Sequence, residues 1–282
     1  MTAPMILGAM WAWGAGDNAI ASRYGTDYKP VELPEKPSYS PEKDVTLLVP
    51  TIDTPDTFPK SMRTWLANNP LQIVIVTTAD YFNHVVNLLK DFDDEIKSGK
   101  ITIAVSAKPG KREQLKTGIP LAKGRILALS DDDTYWGPKF LKYMLACFEN
   151  PHVGGAGGAQ SAHVLPEHQD ENVINKWEVA SIRILDRRNN GQVSSYAADG
   201  GVFILAGRSV LFRTEILHDP EFLHKFTHDY WRGKYLLDSG DDTFITRWLQ
   251  EKNWKIVIQS RPETEIQTGI ATDRKFLGQL IR

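Results

Sequence analysis

A single cysteine, Cys147, stands in 282 residues. An intramolecular disulfide is therefore excluded, and the chain fits a reducing compartment. Cys147 lies in an apolar, helix-like stretch and reads as a packing position rather than a reactive thiol. An excess of one charge is missing too. The 33 basic and 35 acidic residues leave a net charge of −2, which excludes a broad nucleic-acid footprint. Nowhere is there a run of roughly 20 apolar residues, so no membrane-spanning helix is expected. Met1 to Gly16 comes closest, being uncharged and carrying Trp11 and Trp13. Its glycines and its lack of a basic start argue against a cleaved signal peptide. It is expected as a flexible arm, or as a segment that lies on a membrane surface or packs against an element outside this chain. Internal repeats and low-complexity tracts are absent, and the seven histidines show no metal-binding spacing.

Hydrophobic content of 41% and charged content of 24% are those of an ordinary globular protein. Residues 28–43, with four prolines among charges, read as a linker, so 1–43 is expected as an arm leading into the domain. A regular rhythm follows. "VTLLVPTI" (45–52), "LQIVIVTT" (71–78), "ITIAVSA" (101–107) and "RILALS" (125–130) are continuous apolar runs, as in strands buried on both faces. Helix-like segments at 56–68, 80–97 and 111–123 separate them. This alternation predicts an α/β fold with a mostly parallel central sheet flanked by helices. Further on, helices are expected at 138–148 and 171–188 and strand-like segments at 153–160 and 254–259. Residues 200–213 read as a strand, a turn and a helix start. A loop opens a helix across 239–253, and the last stretch reads as helical.

In parallel sheets, ligands bind beyond the carboxyl ends of the strands. Asp131, Asp132 and Asp133 lie there after the fourth strand, Thr51 and Asp53 after the first, and Asp80 after the second. Three adjacent carboxylates repel one another unless something offsets their charge. A solvated turn capping the next helix is one explanation. The other is a hard cation, Mg²⁺ or Mn²⁺, held by an Asp-x-Asp pair against a diphosphate. Gly240-Asp241-Asp242 precedes a helix, where a carboxylate serves as an N-cap or as a general base for an attacking hydroxyl. "KPGKREQL" places Lys108, Lys111 and Arg112 ahead of a helix, a combination that favours a phosphate-bearing ligand. A guanidinium such as Arg282 can pair bidentately with a diphosphate. Of the tryptophans, Trp231 is the candidate for stacking on an acceptor sugar, because it lies in the polar run before the Asp pair.

These pieces, in this order, resemble the processive family 2 glycosyltransferases, the group of hyaluronan, chitin and cellulose synthases. The match covers residues 44–282. Asp131-Asp132-Asp133-Thr134 resembles the family's D-x-D metal motif, and Gly110-Lys111-Arg112 its G-K-R. "VGGAGGAQ" (153–160) is similar to the V-G-x-V-G-G-x-x-Q strand. Gly240-Asp241-Asp242 looks like G-D-D or T-E-D, and Gln279-x-x-Arg282 like the start of Q-x-x-R-W. The resemblance implies a GT-A fold, a UDP-sugar donor, a divalent metal and inversion at the anomeric carbon, with a glycan as acceptor. It implies that Asp133 and Asp131 hold the metal, with Asp131 also near the ribose. Asp242 would be the base, supported by Asp241, and Gln279 and Arg282 would approach the diphosphate or the acceptor. A nucleotide-binding half at 44–136 and an acceptor-binding half at 137–282 follow.

The sequence departs from the family at three places. Pro50-Thr51-Ile52-Asp53-Thr54 stands where P-x-Y-N-E is usual, and Thr77-Thr78, with Asp80 following, stand in place of paired aspartates. The Trp of Q-x-x-R-W and the membrane helices are missing, so the chain is expected to be the cytosolic catalytic part of a membrane polysaccharide synthase, with little polymerising activity alone, the alternative being a soluble member that cannot thread its product through a membrane. Two rival readings are a nucleotidyltransferase and a non-catalytic nucleotide-sugar-binding module. The first normally carries a glycine-rich loop near the first strand, and "VPTIDTPDTF" has no glycine. The second has no need of a base at Asp242.

Overall fold

A computed structural model describes residues 2–274 and 276–278. Its central feature is a seven-stranded sheet. The strands run in the order Lys255–Gln259, Val153–Gly158, Ser209–Arg213, Ile126–Ser130, Val45–Pro50, Gln72–Thr78, Ile101–Ser106. Neighbours are parallel except at Ser209–Arg213, which is antiparallel to both of its partners.

The apolar runs become strands because both faces of the sheet are covered. Every residue of Val45–Pro50 and of Gln72–Thr78 is buried. Successive side chains point to opposite faces. Leu47, Ile73, Ile75 and Ala128 join one core, while Leu48, Val74, Val76 and Leu127 join the other. Trp65, on the helix Phe58–Leu66, is wholly buried in the first core, and Leu115, on the helix Lys111–Gly118, in the second. Each fully buried residue of this size contributes roughly 1.5–3 kcal/mol before chain entropy is counted.

The carboxyl ends of Val45–Pro50, Gln72–Thr78 and Ile126–Ser130 lie at one edge, since these strands are adjacent and parallel. A second, three-stranded sheet joins Thr134–Trp136, Ile266–Thr268 and Gln160–Ala162. It begins directly after the three aspartates and so fixes where they leave the main sheet.

Residues 3–43 are more ordered than an arm. Ala3–Gly25 is a helix whose residues are exposed or half-buried, with Trp11 and Trp13 open to solvent, and it runs along the long helix Lys176–Asp199. Among the described residues no helix is long and apolar enough to cross a membrane. The proline-rich stretch is strapped to the strand Lys255–Gln259. Tyr28 Oη donates to the Ile258 carbonyl at 2.8 Å, and Gln259 both accepts from Val31 N at 2.8 Å and donates to the Val31 carbonyl at 2.8 Å.

The long helix also differs from its expected span of 171–188. It starts after Asn175, whose side chain accepts from Trp177 N and Glu178 N while Glu178 accepts from Asn175 N. This is a capping box. It then passes through Asn189-Asn190-Gly191 and stops at Gly200, which takes a left-handed φ of 74°. Residues 200–208 form no strand, and the strand expected within 200–213 is Ser209–Arg213 alone.

Candidate functional site

The strand Ile126–Ser130 ends in a tight turn. Asp131 N donates to the Arg208 carbonyl at 3.0 Å, and Thr134 Oγ1 donates to the Asp131 carbonyl at 3.0 Å. The three carboxylates are thereby held half-buried and close together. Thr51 Oγ1 donates to Asp132. Burial pushes the Asp132 carboxyl up to about 6, with the Thr51 hydrogen bond opposing and the charges of Asp133 and Asp131 adding. Burial and the charge of Asp131 also push Asp133 upward, while Arg208 and Lys111 pull it back. The cluster is thus short of positive charge. Arg208 contributes more than its field, because its Nη1 is buried with no hydrogen-bond partner among the described residues. Among the described residues no group of three or more His, Cys, Asp or Glu side chains is arranged to hold a metal ion, so the carboxylate oxygens and the unsatisfied Arg208 donor suit a hard cation only when a phosphate-type ligand completes its coordination.

Lys111 answers part of the charge deficit. Gly110, at a φ of 122°, starts the helix Lys111–Gly118. Lys111 Nζ lies 2.7 Å from Asp131 Oδ1 and 3.3 Å from Asp241 Oδ2. Burial alone would lower its pKa, but the two carboxylates more than offset that and hold the ammonium charged, above the usual lysine range. Asp241 is buried, which pushes its carboxyl up against the pull of Lys111. One lysine therefore ties together two acidic motifs 110 residues apart (131 to 241).

Asp242 is placed differently from its neighbour. It begins the helix Asp241–Glu251 behind Gly240, whose φ is 72°. Among the described residues its carboxylate accepts only from Thr243, at 2.7 Å from the backbone N, and it lines a cavity of about 420 Å³. Asp241 is thus spent on Lys111, and Asp242 faces open space. Gly207 lets the preceding loop approach, since a Cβ there would lie 3.2 Å from Asp242 Cβ.

Other expected residues are distributed as follows. Arg112 is buried, and its guanidinium donates to the carbonyls of Phe226, Ser239 and Gly240 and to Asp229. These bonds brace the turn at Ser239 and Gly240, while its buried Nε has no hydrogen-bond partner among the described residues. Thr51 is buried against Thr54 and Asp132, and its hydroxyl orients the cluster. Asp53, at a φ of 55°, and Asp80, in the first turn of Ala79–Leu88, are exposed at the strand ends. Lys108 is exposed, with its carbonyl taken by Ser106 Oγ. Trp231 is 52% exposed on a two-stranded hairpin, with Tyr235 at 5.9 Å between ring centroids and Arg232 over its face at 4.4 Å. Gln279 and Arg282 lie outside the described residues.

A family model described as glycosyltransferase like family 2 matches residues 41–282. The chain belongs to this glycosyltransferase family. It is 41% identical over 277 residues to the NDP-glycosyltransferase ltbB of Aspergillus luteorubrus, a match covering 98% of this chain and 67% of the relative. It is 36% identical to a type 2 glycosyltransferase of Zymoseptoria tritici, covering 98% of this chain and 58% of that one. A type 2 glycosyltransferase of Pyricularia oryzae is 35% identical, with 90% and 51% covered. The chain therefore spans two thirds of the first relative's length and between half and three fifths of the other two. Among solved structures, the mannosyltransferase PcManGT of Pyrobaculum calidifontis, in complex with GDP-Man and Mn²⁺, superposes with a TM-score of 0.65 at 18% identity. That match covers 98% of this chain and 70% of the other. The α/β architecture with its mostly parallel sheet is accordingly the GT-A fold.

Several residues of this glycosyltransferase site have no signal in the sequence. Gln114 Nε2 donates to the carbonyls of Thr51 and Val76, locking the end of the first strand to the second. Gly207-Arg208 reads only as a turn in "LAGRS", and its closeness to both acidic motifs is tertiary. Gly269 touches the cluster too. A Cβ at this position would sit 2.7 Å from Asp133 Oδ2. We expect Gly269→Ala to displace the Asp133 carboxylate, at a stability cost of about 1 kcal/mol. Metal affinity should fall roughly tenfold or more, since ligand orientation sets it. Calorimetric titration with Mn²⁺ beside a thermal melt measures both, and unchanged affinity contradicts the assigned role of Asp133.

Proposed function

We propose that the chain catalyses inverting, divalent-metal-dependent transfer of a sugar from a UDP-sugar to a hydroxyl of a growing polysaccharide. It would act as the cytoplasm-facing catalytic part of a membrane polysaccharide synthase, with membrane attachment assigned to other segments. The observation that supports this reading is the Lys111 bridge, which links Asp131 of the acidic cluster to Asp241, the neighbour of Asp242. A donor-binding role for 44–136 and an acceptor-binding role for 137–282 accord with it.

The residue roles follow from the surroundings of each side chain. Asp131 and Asp133 would hold Mg²⁺ or Mn²⁺, which when bound supplies positive charge for the departing diphosphate. Lys111 and Arg208 supply further positive charge at the same edge. Lys108, Asp53 and Asp80 lie at the rim, where a nucleotide base and ribose would reach. Asp242 takes the proton of the acceptor hydroxyl as its oxygen bonds to the anomeric carbon and the carbon–oxygen bond to the diphosphate breaks. The nucleoside diphosphate leaves with that electron pair, and the configuration inverts. Asp241, held by Lys111, fixes the start of the helix that presents Asp242. Trp231 and Tyr235 offer exposed ring faces for a glycan.

The test is incubation of the protein with Mn²⁺ and a panel of nucleotide sugars, with and without acceptor glycans. Release of nucleoside diphosphate is expected for one donor and should fall to background on chelation of the metal. Tight donor binding with no turnover for any donor and acceptor would instead favour a binding module.

A further inference from the structure

The cavity that Asp242 lines is bounded on its far side by the long helix Lys176–Asp199 and by the loop 201–206. Its walls are fixed. Gln192 Nε2 donates to the Ile204 carbonyl at 2.8 Å, Gln250 Nε2 to the Val202 carbonyl at 2.7 Å, and Leu205 N to Thr246 Oγ1 at 3.0 Å. The lining combines two chemistries. Val202, Ile204, Ala206 and the 92% exposed ring of Phe203 form an apolar wall. Arg187 and Arg188 also line it, exposed, with no side-chain hydrogen bond or ion pair to any described residue. Gly191, between the arginines and Gln192–Ser195, leaves open space where a side chain would project. The carboxylate on the lining itself is Asp242, and Asp186 adjoins the arginines on their helix.

Two unpaired guanidiniums beside an apolar wall are an arrangement for an amphiphilic anion. A guanidinium pairs with carboxylate or phosphate through paired N–H donors, and an exposed aromatic face covers the apolar part of the same molecule. A volume of about 420 Å³ holds a ligand of one or two rings. We propose that this cavity is the acceptor site, and that the acceptor end it takes carries an acidic group beside an apolar face. The acid pairs with Arg187 and Arg188, the apolar face lies on Phe203, and the reacting hydroxyl turns toward Asp242. The proposal rests on Asp242 as the base and adds the chemical class of the acceptor. An acidic glycan end and a small acidic aglycone share this chemistry.

The probes are phenyl glucuronide, phenyl glucoside and free glucuronate, titrated calorimetrically into the protein with Mn²⁺ and UDP. Phenyl glucuronide should bind about tenfold more tightly than phenyl glucoside, the difference expected for a charge-assisted hydrogen bond. Glucuronate binding as well as phenyl glucuronide would point to an acidic sugar end alone, and weaker binding to an acid carrying an apolar aglycone. In the Arg187→Gln/Arg188→Gln variant the preference for the acid should vanish. Equal affinity for the two phenyl glycosides in the unaltered protein, or an undiminished preference in the double variant, overturns the proposal. Asp242→Asn separates the two readings. Acid preference should persist there while transfer is lost, so transfer surviving in that variant removes the base without touching the binding result.

Discussion

Asp242→Asn should bind the sugar donor normally and transfer almost nothing, with turnover reduced by about a hundred- to ten-thousand-fold, as for loss of a general base. The substitution is close to isosteric. The Asn side-chain oxygen still accepts from Thr243 N, so the first turn of the helix keeps the hydrogen bond that Asp242 makes at 2.7 Å. Lys111 still holds Asp241, and the cleft stays assembled. Only the proposed proton acceptor is removed. Turnover measured beside donor affinity by titration separates chemistry from binding. Retention of more than about a tenth of the native rate would assign the proton elsewhere, since base catalysis contributes at least tenfold more than that. Asp241→Asn should behave otherwise. It frees one side of Lys111, so donor affinity and stability shift together.

The second large effect is at Arg112. Its guanidinium reaches the Phe226 carbonyl at 3.0 Å, the Ser239 and Gly240 carbonyls at 3.1 Å each, and Asp229 Oδ2 at 3.3 Å. It also lies over the rings of Phe226 and Phe244, with 5.4 and 5.1 Å to their centroids. Arg112→Ala deprives three carbonyls of a donor and leaves Asp229 with Arg247 as its one ion-pair partner among the described residues. Losing one partner of a buried, hydrogen-bonded charge costs about 3–5 kcal/mol. Because Ser239 and Gly240 lead directly into Asp241-Asp242, transfer should fail along with stability. Arg112→Lys should rescue little, for an ammonium cannot reproduce a planar fork. Denaturant unfolding of the three proteins checks this, and a loss below about 1 kcal/mol for Arg112→Ala would remove the brace.

The two substitutions show which parts of the molecule were legible in the sequence. The strands Val45–Pro50, Gln72–Thr78, Ile101–Ser106 and Ile126–Ser130 were legible because burial on both faces demands unbroken apolar runs, and few other contexts do. The strand Ser209–Arg213 was misplaced toward the glycines at 200–201, since antiparallel insertion between two parallel strands leaves no mark in a pentapeptide. The long helix was expected to end before Asn189-Asn190-Gly191. Packing against Ala3–Gly25 and a buried Leu185 override those weak helix formers. In the site, charge was legible and direction was not. Lys111 and Arg112 are adjacent, yet on a helix adjacent residues point about 100° apart. One of them therefore enters the cleft and the other goes under it. Which of Asp241 and Asp242 stays open was likewise set by Lys111, far away in sequence.

The bonds from Tyr28 and Val31 to Ile258 and Gln259 bear on where this molecule can be cut. The family match opens at residue 41, downstream of every one of those bonds. A fragment trimmed to that boundary would expose the outer rail of the sheet, with the Gln259 amide, otherwise fully buried, left in water or free to zip onto a neighbouring molecule. The folded unit thus begins earlier than the family match, and expression boundaries are better drawn ahead of Tyr28.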